Sequence, residues 1–443
     1  MAKKNTNLHN AKKAKNDEFY TQLSDIEKEM AHYKEFFKGK IVYCNCDDAR
    51  ESNFFKFFAN NFESLGLKKL ISTGFKENGK GVKLVYEGDK NNNFMVDDAE
   101  VAVTELEGNG DFRSEECIKL LKECDVVVTN PPFSLFREYV AQLMEYGKKF
   151  LIIGNGNAVT YKEIFPYIKN NELWLGAGKG MGGKAMEFFV DASIYDSTKG
   201  SVNRVENGKC YVGVMMCTWF TNIPHDKRNT ELDLFRKYNE TDYPKYENYD
   251  AIEVSRVENI PMDYEGVMGV PISFLDKYCP TQFEIVGLGI ANLGLDCGVQ
   301  PYKAEHREYR KNIQKRGVVD GDLYMVINGE VKVPYARILI RRKKTEPIVE
   351  VETTDNVSVN EVEQNDVQQT NNVEVVETNI TSKEIYTLTR RPYSDEDMYI
   401  DSVTIENGTI VANKHNTKRG VKIKSTNTDL NTTDVVAEEN LPP

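Results

Sequence analysis

Residues 125–133 read Asp125-Val126-Val127-Val128-Thr129-Asn130-Pro131-Pro132-Phe133, and this stretch decides the fold. Its three consecutive valines predict a β-strand that is buried on both faces, because a half-exposed strand alternates apolar and polar residues. The Pro-Pro pair ends the strand, since neither proline can donate a hydrogen bond to a neighbouring strand. A strand that stops at such a stiff loop is typical of the ligand-binding edge of an open α/β sheet.

Strand and helix patterns alternate on both sides of this stretch. Aromatic residues at helical spacing (Phe54, Phe58 and Phe62) indicate a helix whose stripe belongs to the core. We therefore predict an α/β fold, a doubly wound and mostly parallel Rossmann-like sheet covered by helices on both faces. The predicted strands are 41–44, 67–72, 82–86, 101–106, 125–129 and 150–153, and the predicted helices are 51–64 and 134–146.

Composition changes divide the chain into five parts. The α/β pattern fills the first part, and the second is richer in tyrosine, proline and charge, which predicts a mixed α+β domain. The third part has nine acidic residues and one basic residue and contains no large apolar residue beyond valine and isoleucine, so we expect a disordered linker. The parts are 1–224, 225–345, the acidic linker 346–383, a small β-rich segment 384–425 and a tail 426–443.

The overall composition excludes several classes of protein. The 443 residues include 57 Lys and Arg against 69 Asp and Glu, a formal net charge of −12. No apolar run approaches the roughly 18 residues of a membrane span, and the basic N-terminus lacks the apolar core of a signal peptide. Eight cysteines are scattered without a CxxC pair or a histidine cluster, which argues against a zinc module or a disulfide framework. We expect a cytoplasmic protein that needs no metal.

The negative total conceals a basic region in the predicted second domain. Residues 302–345 carry twelve basic and five acidic side chains. Such a stretch favours a polyanionic partner, although a solvated face is the alternative. Its last four cations are consecutive, so a strand would place Arg341 and Lys343 on one face and Arg342 and Lys344 on the other. We expect those that face a nucleic acid to neutralise phosphate rather than to read bases.

The Asn-Pro-Pro-Phe sequence after the valine strand offers a specific chemistry. The side-chain oxygen of Asn130 and the carbonyl of Pro131 are two hydrogen-bond acceptors on a stiff loop, and Phe133 adds an aromatic face. Two acceptors can hold the N–H groups of an exocyclic amino group and orient its lone pair towards an electrophile, while the ring stacks on the attached base. We therefore predict transfer to the amino group of a planar base.

This tetrapeptide resembles the catalytic motif of S-adenosylmethionine-dependent amino-methyltransferases, in the form favoured by adenine-N6 enzymes. Residues 16–24 and 43–55 are similar to the EcoRI-like adenine-specific DNA methyltransferase family, and the likeness covers roughly residues 5–340. The resemblance implies methylation of N6 of adenine in double-stranded DNA at a specific sequence, in a restriction-modification system or a mobile element. The adenine would have to swing out of the duplex. We expect S-adenosyl-L-methionine as cofactor and a monomer in solution.

The resemblance also implies the site residues. Asn130, Pro131, Pro132 and Phe133 would be catalytic. The cofactor would lie between the Asp17-Glu18-Phe19-Tyr20-Thr21 segment, the turn after the first strand and the Gly110-Asp111-Phe112 segment. Because residues 44–52 contain no glycine, that turn departs from the usual glycine-rich form. Asp47 or Asp48 would hold the ribose, with a helix N-cap or a solvated turn as the alternatives. The cofactor residues are Tyr20, Thr21, Cys46, Asp47, Asp48, Asp111 and Phe112.

Several alternatives stay open. The same amino-group geometry would serve a methyltransferase of RNA adenine or protein glutamine, and a catalytically inactive DNA-binding anti-restriction protein is a rival from another class. Residues 178–185 nearly spell a P-loop, but Ala185 stands where a magnesium-binding hydroxyl is needed. A flexible glycine loop over the catalytic pocket or near DNA phosphate is the other interpretation. Cys44 and Cys46 without further ligands indicate buried strand residues.

Overall fold

The computed structural model describes residues 20–46, 48–76, 78–93, 95–182, 185–192 and 202–343, and beyond these the backbone of four further strands. The chain divides into two compact units, Met1–Glu350 and Val351–Pro443. Within the described part, no helix has the length and apolar character needed to cross a lipid bilayer.

An eight-stranded sheet is the largest element of the first unit. Each predicted strand lies in it, with ends that move by up to two residues. In the order in which they lie side by side, the strands are β5 (Ala102–Glu105), β4 (Val82–Tyr86), β3 (Lys69–Gly74), β2 (Ile41–Cys44), β6 (Val126–Thr129), β7 (Lys149–Asn155), β12 (Cys217–Thr221) and β8 (Trp174–Leu175).

Only the centre of this sheet is parallel. β3 pairs with β2, β2 with β6 and β6 with β7 in parallel, whereas β5, β4, β12 and β8 run antiparallel to their neighbours. The predicted α/β fold is confirmed, but the sheet is mixed rather than mostly parallel. An apolar run shows that a strand is buried and carries no information about its direction. Residues 75–81, which join β3 to β4, are too few for the crossover of a dozen or more residues that a parallel pair needs.

Helices cover both faces of the sheet, as predicted. On one face, Tyr43 and Val127 belong to a buried cluster with residues of α4 and α5, and on the other Val42 and Val128 cluster with residues of α1 and α2. The aromatic stripe is core, because Phe54 and its neighbours are buried. The helices are α1 (Leu23–Met30), α2 (Asn53–Asn60), α3 (Phe62–Leu65), α4 (Glu115–Glu123), α5 (Phe136–Glu145), α6 (Phe165–Lys169), α7 (Ala291–Asp296) and α8 (Ala304–Glu308); short 3-10 turns include Lys34–Phe37, Phe133–Leu135, Gly156–Thr160, Asp226–Asn229, Val257–Asn259 and Ile272–Lys277.

Two four-stranded sheets and a hairpin complete the described part of the first unit. In the sheet formed by residues beyond 225, Ile252 and Ile338 belong to the same buried cluster as Tyr43 of the large sheet. The domain boundary at residue 224 stays a prediction. The strands are β1 (Tyr20–Thr21), β9 (Met186–Asp191), β11 (Lys209–Val214) and β10 (Val202–Glu206) in one sheet; β13 (Ala251–Glu253), β14 (Val267–Pro271), β18 (Arg337–Arg342) and β15 (Phe283–Gly289) in the other; and β16 (Met325–Ile327) with β17 (Glu330–Lys332) in the hairpin.

The second unit has four described strands in a single sheet. Two of them form an antiparallel hairpin within the predicted β-rich segment, and Ile405 pairs with Ile410 in it. The predicted linker 346–383 and the tail 426–443 lie outside the described residues. In spatial order the strands are β19 (Tyr386–Arg390), β22 (Val421–Ser425), β20 (Ile400–Glu406) and β21 (Thr409–Lys414).

Candidate active site

The carboxyl ends of four parallel strands meet along one edge of the large sheet. Because parallel strands end on the same side, the loops after β2, β3, β6 and β7 lie next to one another. The loop after β2 carries the predicted cofactor residues 46–48, and the loop after β6 carries the predicted catalytic residues 130–133. The structure therefore brings these two groups together at the edge where open α/β sheets bind ligands.

The turn after β6 fixes the direction of the catalytic tetrapeptide. Asn130 is buried, with 8% of its surface exposed, and Pro131 is buried beside it. Pro132 is extended, with φ −56° and ψ 124°, and its carbonyl accepts a hydrogen bond from the N–H of Leu135 at 2.9 Å. Since the prolines fix φ at two consecutive positions, the backbone between Asn130 and Phe133 has little freedom. Acceptors on this segment are held in place before any ligand arrives.

Phe133 places an aromatic ring at the same edge. The ring is partly buried, and it packs against a cluster that includes Cys44 of β2 and Met186 and Phe188 of β9. Part of its surface stays accessible. A ring that the protein supports on one side is suited to stacking on a planar ligand with the other.

Asn45, directly after β2, joins the two loops. Its backbone carbonyl accepts a hydrogen bond from the hydroxyl of Thr129, the last residue of β6, and its side-chain oxygen accepts one from the phenol of Tyr139 on α5. Burial raises the pKa of the Tyr139 phenol well above its ordinary value, so the phenol stays protonated and can donate. Neither Asn45 nor Tyr139 is among the predicted site residues, because 94 positions separate them and no local pattern connects them.

The backbone turns sharply at Cys46. Its φ is +71°, in the left-handed region that favours glycine. The glycine-rich turn that is absent from residues 44–52 is thus replaced by a cysteine in a conformation typical of glycine. The Cys46 side chain is partly buried, while Cys44 is a buried strand residue, as predicted. Asp47 lies outside the described residues.

Asp48 is exposed, and its carboxylate is used by the local backbone. Oδ1 accepts hydrogen bonds from the N–H groups of Arg50 at 2.9 Å and Glu51 at 3.1 Å. Ser52 then caps α2, its hydroxyl accepting from the N–H of Phe54 at 3.2 Å. The N-cap of α2 is therefore Ser52, and Asp48 belongs to an exposed turn before it, which corresponds to the solvated-turn alternative; its role towards a ribose stays a prediction.

The Gly110-Asp111-Phe112 segment lies against the end of β3. Gly110 has φ +84°, and a Cβ atom there would overlap the carbonyl oxygen of Gly74, the last residue of β3. The N–H of Lys76 donates to the carbonyl of Asn109 at 2.8 Å. A glycine is required at position 110 both by its backbone angle and by this close approach. The segment therefore reaches the same carboxyl edge as the two loops.

Asp111 is held in its charged form by a neighbour. Arg113 donates from Nε to Oδ1 at 2.9 Å and from Nη2 to Oδ2 at 2.7 Å, and these bonds hold the pKa of the Asp111 carboxyl below its ordinary value. Phe112 is buried, with its ring edge-on to that of Tyr139 and the centroids 5.0 Å apart. Tyr139 thus contacts both Phe112 and Asn45, so it connects two of the three predicted cofactor segments.

Tyr20 and Thr21 form the short strand β1, which pairs with β9. The ring of Tyr20 stacks on that of Phe189 with centroids 5.3 Å apart. The carbonyl of Thr21 accepts a hydrogen bond from Nδ2 of Asn53, the first residue of α2, at 2.7 Å. The Thr21 hydroxyl is buried and has no hydrogen-bond partner among the described residues. The Tyr20-Thr21 segment therefore lies beside Asn53, at the end of the loop after β2.

The glycine loop that begins after β8 is bound by the protein's own carboxylates. Glu29 accepts hydrogen bonds from the N–H groups of Ala177 at 2.7 Å and Gly178 at 2.8 Å, and Asp276 accepts from the N–H of Met181 at 2.9 Å. In a P-loop, such N–H groups bind phosphate. Here these N–H groups donate to protein carboxylates, so the described part of the loop cannot bind the phosphates of a nucleotide triphosphate in the manner of a P-loop. Residues 183–184 lie outside the described residues.

Comparisons with known proteins identify the family of the chain. The family model for the adenine-specific methyltransferase EcoRI matches residues 7–343. The chain is 46% identical over 359 residues to the type II methyltransferase M.EcoRI of Escherichia coli, an alignment that covers 78% of this chain and 99% of the relative. It is 40% identical to M.MgeORF184P of Mycoplasma genitalium and to M.MpnI of Mycoplasma pneumoniae, in each case over 76% of this chain and 98–99% of the relative. No solved structure matches the chain significantly. With a family match over most of its length and a relative that is 46% identical over nearly its whole sequence, the chain belongs to the EcoRI family of adenine-specific methyltransferases.

Proposed function

We propose that the protein transfers the methyl group of S-adenosylmethionine to N6 of an adenine that has swung out of duplex DNA, and that residues 130–133 hold that adenine. The family makes the chain a site-specific adenine DNA methyltransferase of the type II modification class. The main observation that supports this site is that Asn130 is buried on a turn of two prolines. The loop after β2 lies beside this turn, because the carbonyl of Asn45 accepts a hydrogen bond from Thr129 at the end of the same strand.

The acceptors on this turn would orient the adenine amino group. Asn130 Oδ1 and the Pro131 carbonyl accept its two N–H bonds, and Phe133 stacks on the ring. With both hydrogens held, the nitrogen lone pair points away from the acceptors and towards the cofactor side of the edge. The new bond forms between N6 and the methyl carbon as the carbon–sulfur bond breaks, and the surplus N6 proton leaves to solvent. The protein contributes mainly position, because the reacting atoms need to lie in line.

Three segments would hold the cofactor, which when bound supplies a methyl group on a positively charged sulfur. Asp111 stays ionised beside Arg113 and can accept from an amino group, and the left-handed turn at Cys46 allows close approach of the backbone. The buried hydroxyl of Thr21, which lacks a partner among the described residues, is a further polar group at this edge. These features support Tyr20, Thr21, Cys46, Asp111 and Phe112 as cofactor residues. The cofactor roles of Asp47 and Asp48 rest on the family resemblance alone.

Transfer of a labelled methyl group tests the proposal. The protein is incubated with radiolabelled S-adenosylmethionine and, separately, duplex DNA, single-stranded RNA and a glutamine-containing peptide. We expect label in the duplex alone, recovered as N6-methyladenine after digestion to nucleosides. Label in RNA or peptide, or duplex binding without transfer, would instead support one of the rival functions.

A further inference from the structure

Among the basic side chains between residues 302 and 343, two groups differ in whether they are paired with carboxylates. Five of them are paired with carboxylates, which reduces the charge they can offer to a polyanion. The pairs are Lys303 with Glu247, Arg307 with Asp320, Lys332 with Glu330, Arg337 with Glu253 and Arg341 with Glu284. The strand alternation expected for Arg341 and Lys343 is confirmed, since both are exposed and Arg342 is partly buried. The ion pair of Arg341, however, makes it a weaker candidate for a phosphate contact than the sequence indicates.

The second group lies on one turn, residues 309–317, which we call the basic turn. Lys311, Lys315 and Arg316 are exposed there, and none of them has an ion pair among the described residues. The turn contains no acidic residue. Its fold is fixed by its own hydrogen bonds, with the N–H of Arg316 donating to the carbonyl of Arg310 at 3.0 Å and Nε of Arg310 donating to the carbonyl of Gly317 at 2.9 Å.

Two contacts place the basic turn near the catalytic edge. Nε2 of Gln314 donates to the carbonyl of Val331 in the β16–β17 hairpin at 3.0 Å. Tyr335, four residues after Val331, donates from its phenol to Oδ1 of Asn157 at 3.0 Å. Asn157 lies in the first turn after β7, at the carboxyl edge of the large sheet. Four residues span at most about 14 Å. Two side-chain hydrogen bonds and this short segment therefore connect the basic turn to the edge at which the proposed active site lies.

We propose that Lys311, Lys315 and Arg316 bind the phosphates of the DNA whose adenine enters the site. The inference rests on the proposed function and adds the surface that holds the duplex. Three exposed cations without an ion pair among the described residues offer more charge to a phosphate than cations already paired with carboxylates. Contacts of this kind fix the register of the protein on the duplex and carry no sequence information.

Duplex binding as a function of salt tests the basic turn. In the full-length protein, Lys311, Lys315 and Arg316 are replaced together by alanine, and binding of a cognate and a random duplex is measured between about 50 and 200 mM salt. Each lost phosphate contact should reduce the slope of log K against log salt by about 0.9, so we expect a reduction of about 2.7. Both duplexes should lose affinity by similar factors, because phosphate contacts carry no sequence information.

The matched control replaces three ion-paired cations, Lys303, Lys332 and Arg341, by alanine, which changes the net charge by the same amount. We expect its salt slope to stay at the wild-type value. The proposal is overturned if the basic-turn variant keeps the wild-type slope, or if the control loses an equal slope, which would indicate a general effect of net charge. A wild-type protein that does not methylate DNA at all would contradict the proposed function instead. Thermal melting of both variants shows whether they are folded.

Discussion

The phenol of Tyr139 donates a hydrogen bond to the side-chain oxygen of Asn45, across the carboxyl edge of the sheet. Tyr139 lies on the helix that follows the catalytic tetrapeptide, and Asn45 begins the loop that carries Cys46. The hydroxyl of Thr129 binds the carbonyl of the same asparagine. The positions of the two loops therefore depend on one another.

We expect Tyr139→Phe to weaken binding of the methyl donor more than it slows transfer. The change removes one donor and leaves Asn45 with a buried, unsatisfied oxygen, a cost of about 1–3 kcal/mol. If loss of this hydrogen bond displaces the loop after β2, KM for S-adenosylmethionine rises by roughly fivefold or more, while kcat changes less. Steady-state kinetics with each substrate in turn measure the two effects separately.

Tyr146→Phe is the control for that variant, since Tyr146 directly follows the same helix. We expect its kinetic constants to match those of the wild type. A Tyr139→Phe protein that melts at a lower temperature but keeps the wild-type KM would show that the hydrogen bond is structural only.

Asn130→Ala should abolish methyl transfer and leave donor affinity within a few-fold of the wild type. In the proposed mechanism, the side-chain oxygen of Asn130 accepts from the adenine amino group and does not contact the donor. Single-turnover transfer and equilibrium binding of the donor test the two statements. More than about 10% of the wild-type kcat, a barrier increase of less than about 1.4 kcal/mol, would contradict the role of Asn130.

Removal of residues 346–443 should leave a folded and active enzyme. The family match ends at residue 343, and the first compact unit ends at Glu350. We expect one cooperative melting transition within a few degrees of that of the full chain, and an unchanged kcat. Loss of that transition would show that the C-terminal unit stabilises the catalytic one.

The stability that Arg113 provides should depend on pH in the acid range. Its hydrogen bonds lower the pKa of Asp111 from the ordinary value of 3.8. When folding lowers the pKa of a carboxyl, the carboxyl stabilises the folded protein at pH values above its ordinary pKa. That stabilisation is lost as the pH falls through the lowered pKa. Urea unfolding at pH 7 should therefore show Arg113→Ala to be the less stable protein. The difference should shrink as the pH falls below 4; a difference that grows there would contradict the assigned pair.

Features of the fold that depend on a few neighbouring residues can be predicted from the sequence. Three consecutive valines before two prolines are sufficient to place the end of β6 and its turn, because burial and the missing N–H groups act within a few residues. The direction of β4 is limited by the short connection that joins it to β3, and the apolar run in β4 does not report that direction. The bond between Tyr335 and Asn157 joins positions 178 apart, so it follows from topology and leaves no trace in either segment. The left-handed conformation of Cys46 is likewise imposed by the surrounding structure on a residue that does not favour it.

The carboxylates of Glu29 and Asp276 have a consequence for selectivity among small molecules. The methyl donor shares its adenosine group with ATP, which differs in carrying a triphosphate chain. A glycine loop with unoccupied N–H groups would attract that chain, whereas here the N–H groups of Ala177, Gly178 and Met181 already donate to the protein itself. These three N–H groups are therefore not available to bind the triphosphate chain of ATP, so the loop gives ATP no advantage over the methyl donor.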